Sequence, residues 1–514
     1  MKKTWILKEL LQPLTAEKVK GDLRQEIRGI AYDSRRVEDD YLFFAIPGLK
    51  NNGTNFIYEA VKRGAKAIVT QKDLPDCSGG HKGVSYIAVG DAREALSRVS
   101  SVFCGFPSRR LKVIGITGTN GKTSTAYLLE SILKAAHLKV GVIGTINYRM
   151  GKQIIPAVRT TPESLDLHLL LREMVVSGIT HVIMEVSSHA LAQRRVSRID
   201  FDVGIFTNLS HDHLDYHKSM ENYFSSKNLL FEQLGLASQR EGRRISVLNG
   251  DDPASTRILQ RLEAFPQVEI LSFGLGDKNS LQAKVVESKP AASRFLIKNG
   301  LENIEVNLAL PGKHNLYNAL AAAACSAGLG INSKFIKEGL EKAKHIPGRF
   351  EFIGKDMPFK IAVDYAHTEE ALRNILEASR DFNPKRVILV FGCGGDRDKS
   401  KRPLMGRVAG ELAHFSILTS DNPRSEPPEK IIADIEAGFG SKKNYQVILD
   451  RCQAIESALK MARPDEMIII AGKGHETYQI YKDAVIPFDD REAVKRILGE
   501  MGLTEDGRGK TKNG

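Results

Sequence analysis

The stretch Ile114-Gly115-Ile116-Thr117-Gly118-Thr119-Asn120-Gly121-Lys122-Thr123-Ser124 decides how this chain is read. The apolar run from Leu111 to Ile116 reads as a buried strand, and a helical pattern runs from Thr123 to about Ala136. A glycine turn lies between them. Strand, glycine loop and helix in that order form a phosphate cradle. Glycines let backbone N–H groups close on phosphate oxygens, and the helix N-terminus adds partial positive charge. Lys122 then reaches the β- and γ-phosphates, and the Thr123 hydroxyl is placed for Mg²⁺. The strict P-loop pattern wants a glycine five residues before Gly121; Ile116 stands there, with glycines at 115 and 118. An ordinary glycine turn is the competing reading, and Gly-Lys-Thr-Ser in this context disfavours it.

The 514 residues suffice for two to four domains, each with its own core. A composition of 42% hydrophobic and 26% charged residues is that of a soluble globular protein. No apolar run is long enough to cross a bilayer. The N-terminus, Met1-Lys2-Lys3-Thr4-Trp5-Ile6-Leu7, turns polar at Lys8 and Glu9, too early for a signal peptide. Five cysteines (77, 104, 325, 393, 452) are scattered, odd in number and without metal spacing. Reduced thiols and a cytoplasmic location are expected. The net charge of +12 suits either a nucleic-acid binder or an enzyme for polyanionic substrates. Lysine and arginine are spread out, with no basic stripe or interleaved aromatics, which disfavours a nucleic-acid-dependent ATPase. Only the end, Gly507 to Gly514, is a basic low-complexity tail, expected to be disordered.

The fold class is α/β. Residues 1–109 mix short strands and helices: a helix is expected over Asn55–Arg63, stopped by Gly64, and a strand at Ala67-Ile68-Val69. Pro107 to Arg110 marks the boundary before the phosphate-binding strand. From 110 to 345 strands and helices alternate, as in a largely parallel sheet with helices on both faces, with strands at Val140–Ile143, His181–Val186 and Val203–Thr207. A second open α/β sheet spans 346–503, with strands at Lys360–Val363, Arg386–Phe391, Phe415–Leu418 and Glu466–Ala471, and the basic tail covers 504–514. Ligands of such sheets gather at the carboxyl ends of strands, which is where the remaining motifs fall.

Glu185 ends the apolar strand in Val182-Ile183-Met184-Glu185-Val186, so its carboxylate is suited to Mg²⁺ beside ATP phosphates. A solvent-facing strand end is the alternative. Asn208 to His217 holds three histidines in seven residues, a zinc-like density. No cysteine is near, and a single histidine helping a magnesium site fits the context better.

At this point the motifs resemble the Mur ligases, the ATP-dependent amino-acid-adding enzymes of peptidoglycan synthesis. They are Gly118-Thr119-Asn120-Gly121-Lys122-Thr123, Glu185-Val186-Ser187-Ser188-His189, Asn208 to His217, and Leu310 to Ala319. The likeness continues through Pro347 to Glu351, Val363 to Thr368, Phe391 to Asp398 and Ala471 to Glu476. It spans nearly the whole chain, and implies a UDP-binding N-terminal domain, a central P-loop-type ATPase and a Rossmann-like C-terminal domain that brings the amino acid. ATP would phosphorylate a substrate carboxylate, and an amine would attack the acyl phosphate. Gly118 through Ser124, Asn315, Asn318, Arg349, Asp364 and His367 would contact ATP. Thr123 and Glu185 would hold one magnesium and His213 would help hold a second. Lys122, Glu185, His213 and Lys227 would be the catalytic set, with Lys227 carbamylated by CO₂ to become an anionic oxygen ligand; the residues alone suggest an exposed helix lysine. Ser34, Thr160, Thr161, Ser187, Gln193 and Arg195 would bind the UDP-muramoyl-dipeptide, with Arg194 an alternative to Arg195.

Ser420-Asp421-Asn422-Pro423-Arg424-Ser425-Glu426 follows a strand and would choose the amino acid. In this family Asp-Asn-Pro-Arg implies meso-diaminopimelate, because a guanidinium can pair bidentately with the carboxylate that lysine lacks. Arg397, Asp421, Asn422, Pro423, Arg424, Gly472 and Glu476 would form that subsite. A proline turn with a solvated arginine is the bland reading. The alternatives within the class are an L-lysine-adding relative, which Asp421–Arg424 opposes, and a folylpolyglutamate synthase-like ligase, which the N-terminal domain opposes. A monomer acting on small molecules, without nucleic acid or membrane insertion, is expected.

Overall fold

The computed structural model describes residues 4–48, 51–73, 83–236, 242–289, 292–300, 302–354, 357–482 and 484–503. Cys77 and the basic tail lie outside the described residues. The chain forms two compact units: unit 1 comprises Met1–Gly115, Lys139–Val203 and Leu229–Arg244, and unit 2 comprises Ile116–Leu138, Gly204–Asn228 and Ile245–Gly514.

Unit 1 contains a five-stranded sheet in the order Ala16–Lys20, Ser85–Val89, Ala65–Gln71, Tyr41–Phe44, Gly29–Ala31. Its pairings are parallel except at the outer strand Ala16–Lys20. Side chains alternate across a strand, so each strand feeds two cores. Leu42 and Phe44 join Val69, Ile87, Leu96 and Val99 on one face; Phe43 and Ala45 join Ile57, Ala60 and Ile68 on the other. The expected helix at 55–63 is shorter. It starts as a 3₁₀ turn, Gly53–Phe56, capped by the Asn52 side chain, and is α-helical only over Ile57–Lys62. Asn52 acts as a turn-starting cap earlier than the apolar pattern suggested. Unit 1 also holds Val140–Ile143 and His181–Glu185 in parallel, and the antiparallel hairpin Asn147–Met150 with Gln153–Pro156.

The strand Lys112–Thr117 leads the chain into unit 2 and the helix Lys122–Ala135 follows, close to the expected bounds. A departure from the parallel expectation comes at Leu281–Lys289, Ala292–Asn299 and Glu302–Leu308, which form an antiparallel meander. Half-buried antiparallel strands carry period-two patterns, as in Ile304-Glu305-Val306-Asn307-Leu308, with Ile304, Val306 and Leu308 buried.

The six-stranded C-terminal sheet runs Glu351–Ile353, Lys360–Asp364, Met467–Ala471, Val387–Phe391, Phe415–Leu418, Tyr445–Val447. All its pairs are parallel except the first. Its central strands are apolar throughout because helices cover both faces. Leu389, Phe391, Met467 and Ile469 face one core, and Ile388, Val390, Ile468 and Ile470 face the other.

Cys104, Cys325 and Cys393 are buried, Cys452 is half-buried, and none is in a disulfide. No described helix is long and apolar enough to cross a membrane. His168, on the helix Ser164–Val176, is fully buried, and neither ring nitrogen has a partner among the described residues. Burial pushes its pKa down to about 3. From pH ~6.5 down toward that value the unfolded chain takes up a proton that the folded one refuses, so stability falls with falling pH. His168→Leu should stabilise the protein by about 1–3 kcal/mol and flatten that acid limb. Chemical denaturation at two pH values checks this; a destabilised variant would refute it.

Candidate active site

The phosphate loop owes its shape to two close approaches. At Gly118 (φ +147°) a Cβ would lie 1.8 Å from Thr207 Oγ1, and at Gly121 (φ +85°) one would lie 2.3 Å from Asn318 Oδ1. The next residues are pinned from the side: Thr119 N donates to Asn208 O and Asn120 N to Asn208 Oδ1, both at 2.9 Å. The helix Lys122–Ala135 then begins with no side-chain cap. Its first-turn amides have no intrahelical acceptor, so they suit an anion. Lys122 Nζ donates to Gly118 O and Thr119 O at 2.8 Å each, folding its charge over the loop. An adjoining cavity of about 490 Å³ is lined by Asn120, Gly121, Ser124, Lys313, Tyr317 and Asn318, among others.

Arg349 reaches this site from the turn after Pro347. Its Nη2 donates to Thr123 Oγ1 at 3.2 Å, and its guanidinium lies 4.6 Å from the Tyr365 ring centre. Asp364 lines the same cavity, but its carboxylate accepts from Phe350 N and Ala366 N at 2.7 Å each, so it fixes the turn that aims Arg349. Asn315 Nδ2 donates to Pro311 O at 2.8 Å, and Asn318 Nδ2 to Asn315 Oδ1 at 3.2 Å.

The three histidines of the zinc-like stretch diverge. His211 Nε2 meets Asp398 Oδ2 and Ser400 Oγ at 3.0 Å, His213 Nε2 meets Asp212 Oδ2 at 3.4 Å, and His217 Nδ1 meets Ser226 Oγ at 3.2 Å. No cluster of His, Cys, Asp or Glu able to hold a metal by itself occurs among the described residues. A hydroxyl such as that of Thr123 suits an ion whose remaining ligands are phosphates and water, which is magnesium's habit.

Asp212 is the centre that the sequence reading missed. It is buried and faces Lys401 Nζ at 3.3 Å and His367 Nε2 at 3.9 Å as well as His213. Burial works to raise its pKa, but Lys401, His213 and His367 outweigh that and hold the carboxyl well below the usual range. His367 is kept neutral, its pKa pushed down to about 4 by burial and by Lys401.

Lys227 corrects the exposed-helix reading: it sits on the helix Met220–Leu236 and is only 2% exposed. Its ammonium position lies 4.3 Å from the Tyr223 ring centre. Burial, then the charge of Lys122, pushes its pKa well below that of a free lysine, against the opposing pull of Asp212. A lysine amine in that state is nucleophilic.

In unit 1, Glu185 ends its strand with both oxygens on Thr145: Oε1 accepts from the amide at 3.0 Å and Oε2 from the hydroxyl at 2.8 Å. Thr161 Oγ1 donates to Glu185 O at 2.8 Å and accepts from Ser187 N at 3.1 Å, while Thr160 Oγ1 meets Thr145 Oγ1 at 3.2 Å. Arg195 is buried; its guanidinium pairs with Glu163 at 2.9 Å, Thr161 O at 3.0 Å and Gln193 Oε1 at 2.6 Å. Ser34 Oγ donates to Glu59 Oε2 at 2.8 Å beside a separate cavity of about 410 Å³, lined also by Tyr32, Asp33, Arg35 and Phe43.

In the C-terminal sheet of unit 2, the loops after three parallel strands converge. The Pro423 carbonyl sits 1.9 Å from where a Cβ on Gly395 would be, and Gly472 (φ +112°) faces Asp421 Oδ2 at 2.6 Å in the same sense. Arg424 (φ +54°) donates from Nη1 to Gly395 O at 2.9 Å and Asn422 O at 3.3 Å. Arg397 Nη1 donates to Asp396 O at 2.9 Å. Glu476 Oε2 accepts from Asn422 Nδ2 at 2.9 Å and from Lys473 Nζ at 3.1 Å. Burial and then Asp421 raise the Glu476 pKa. Burial and then Arg397 lower that of Arg424. Lys473, fully buried, was also missed, although it lies inside the quoted Gly-Lys-Gly-His-Glu segment.

Three family models match the chain. "Mur ligase family, catalytic domain" covers residues 26–103, "Mur ligase middle domain" 116–326, and "Mur ligase, glutamate ligase domain" 348–474. The UDP-N-acetylmuramoyl-L-alanyl-D-glutamate–2,6-diaminopimelate ligase of Caldanaerobacter subterraneus subsp. tengcongensis is 46% identical over 496 residues, 96% of this chain and 99% of that protein. The protein of that name from Clostridium tetani is 42% identical over 497 residues, again 96% and 99% of the two chains. A solved structure of an enzyme with that name has a TM-score of 0.67 at 29% identity, covering 97% of this chain and 99% of the other.

Gly118→Ala should lower ADP affinity by about tenfold or more, the equivalent of ~1.4 kcal/mol, with the helical circular-dichroism signal retained. Calorimetric titration checks it; unchanged affinity would mean the loop is not the nucleotide site.

Proposed function

Since the chain belongs to the Mur ligase family, we propose that it joins meso-2,6-diaminopimelate to the D-glutamate of UDP-N-acetylmuramoyl-L-alanyl-D-glutamate. ATP drives the step, which belongs to peptidoglycan synthesis, and the protein works as a monomer. In this reading residues 1–109 take the UDP-muramoyl-dipeptide, 110–345 take ATP, and 346–503 bring the amino acid.

What supports the choice of amino acid is two cations and two acids brought together: Arg424 and Arg397 lie 2.9 and 3.6 Å from where a Cβ on Gly394 would be, and Asn422 ties Glu476 to the loop that carries Asp421. Arg397 presses on Arg424, and Asp421 presses on Glu476. Diaminopimelate has a carboxylate and an ammonium at each end. It can answer both signs at its far end, whereas lysine has no carboxylate there to offer the two arginines. In this reading Arg424 takes the distal carboxylate, Glu476 the distal ammonium, and Arg397 a carboxylate. Asp421, Asn422, Pro423 and Gly472 hold the shape.

A carboxylate is a poor electrophile, being anionic and lacking a leaving group. In the proposed reaction its oxygen takes the γ-phosphoryl group of ATP and ADP departs. The neutral amine of the amino acid then bonds to the carbonyl carbon, phosphate leaves with the C–O electron pair, and the amine loses its proton. The protein's part is alignment and charge neutralisation. Lys122 and the uncapped helix N-terminus hold the phosphates, and Arg349 holds Thr123 in place. Asn318 and Asp364 line the cavity proposed for the nucleotide, and Asn315 and His367 complete the proposed ATP contacts.

Magnesium, when bound, neutralises phosphate charge; in unit 2 Thr123 would help hold one ion, His213 would help hold a second, and a carbamylated Lys227 would supply an anionic oxygen ligand. In this reading Glu185 is kept as a carboxylate ligand for magnesium, as membership of the family implies. The depressed pKa of Lys227 supports the carbamate, because only a neutral amine adds CO₂. Ser34, Thr160, Thr161, Ser187, Gln193 and Arg195 complete the reading as binding and ordering groups for the UDP-muramoyl-dipeptide.

Phosphate release should require the UDP-muramoyl-dipeptide and meso-diaminopimelate together and should not respond to DNA or RNA. L-Lysine should be a poor substitute, and Arg424→Ala should narrow the preference by about tenfold or more. Equal use of lysine by the wild type would overturn the assignment. For Lys227, rigorous removal of CO₂ should lower turnover and bicarbonate should restore it. Short carboxylic acids should partly rescue Lys227→Ala. Indifference to CO₂ would reject the carbamate and leave the rest standing.

A further inference from the structure

The pair Arg451–Asp490 is fully buried on both sides, at 0% exposure each. Arg451 opens the helix Arg451–Met461, and Asp490 opens the helix Asp490–Glu500. Their bonds are bidentate: Nε to Oδ1 at 2.7 Å and Nη2 to Oδ2 at 2.8 Å. Taking two charges wholly out of water costs more than such a pair regains unless further bonds are made. Those further bonds point to a purpose. Arg451 Nη2 donates to Ala471 O at 3.0 Å and Nη1 to Ser420 O at 3.4 Å.

Ser420 directly precedes Asp421, and Ala471 directly precedes Gly472 in the segment that carries Lys473 and Glu476. The two carbonyls lie at the carboxyl ends of Phe415–Leu418 and Met467–Ala471, with Val387–Phe391 between those strands in the sheet. One guanidinium therefore spans the middle strand from beneath and ties two loops together. Gln479 Nε2 reinforces one end, donating to Ser420 O at 3.3 Å and Asp421 O at 2.9 Å.

We propose that Arg451, backed by Asp490, is a positioning residue for amino-acid selection: it sets the spacing between the Asp421–Asn422 loop and the Lys473–Glu476 loop. Arg451 touches no reacting atom. The inference rests on the diaminopimelate reading above and goes beyond it by naming what holds the pocket's acidic side in register. The fork makes four hydrogen bonds here, two to the carboxylate and one to each carbonyl, and an ammonium with three donors cannot make all four.

The test uses Arg451→Lys, which keeps the charge but loses the fork, and Asp490→Asn, which keeps the shape but frees the guanidinium to swing. Steady-state kinetics are measured for all three substrates alongside the thermal midpoint. In either folded variant the KM for meso-diaminopimelate should rise about tenfold, while the KM values for ATP and the UDP-muramoyl-dipeptide stay within about twofold, although the thermal midpoint falls as a broken buried pair requires. Parallel shifts in all three KM values, tracking the midpoint, would show a purely structural pair. An unchanged KM for diaminopimelate in both variants, or failure of both to fold, overturns the inference as well. A wild type that does not use diaminopimelate removes the functional reading itself; a wild type that does, with unaltered variants, removes only the role of Arg451.

Discussion

Two backbone conformations that favour glycine, at 118 and 121, hold the nucleotide end of this protein together. The strand Lys112–Thr117 must turn sharply, because Thr207 Oγ1 and Asn318 Oδ1 occupy the places where side chains would project. The turn delivers the helix Lys122–Ala135 without a side-chain cap, so its positive end stays available. Thr123 then falls where Arg349 can reach it, and Asp364 holds the turn that aims Arg349. A larger residue at either glycine would disturb all of these at once.

Around the loop, buried charge is handled in two ways. Lys401 and Lys473 are buried beside carboxylates, Asp212 and Glu476, and the pairing offsets part of their desolvation. Lys227 faces the opposite balance. Its largest influences after burial are the cation Lys122 and then the anion Asp212, and the cation prevails. Shedding a proton is the cheapest response for such a group. The difference between the two sites lies in which charges stand nearest: Lys401 faces Asp212, and Lys227 faces Lys122 as well.

Much of this was legible in the sequence because the signals were local. The phosphate loop, the apolar strands of the C-terminal sheet and the Asp-Asn-Pro-Arg turn are each written in consecutive residues, and their bounds moved by only a residue or two. The meander from Leu281 to Leu308 escaped because its period-two pattern is diluted by exposed Val285 and Val286 and sits between longer helical signals. Asp212, Lys401 and Lys473 escaped for a different reason. Their importance lies in partners up to 189 residues away, as in the Lys401–Asp212 bond, and no local pattern encodes that. Lys227 looked like an exposed helix lysine for the same reason: burial is decided by what packs over it.

In the proposed reading, the loops around Arg424 and Glu476 show why such partners matter for selection and less for raw affinity. Without substrate, Arg424 is occupied by two backbone carbonyls, and Glu476 by Asn422 and Lys473. An incoming zwitterion must displace or share these bonds, so each new contact is worth only its excess over the one it replaces. The like-charge repulsions add to that excess for a ligand that answers both, and withhold it from one that answers a single sign. In the proposed reading such a pocket gains selectivity by rejecting near-relatives. It works only while its loops keep their spacing, because hydrogen bonds weaken steeply when their distance and angle change.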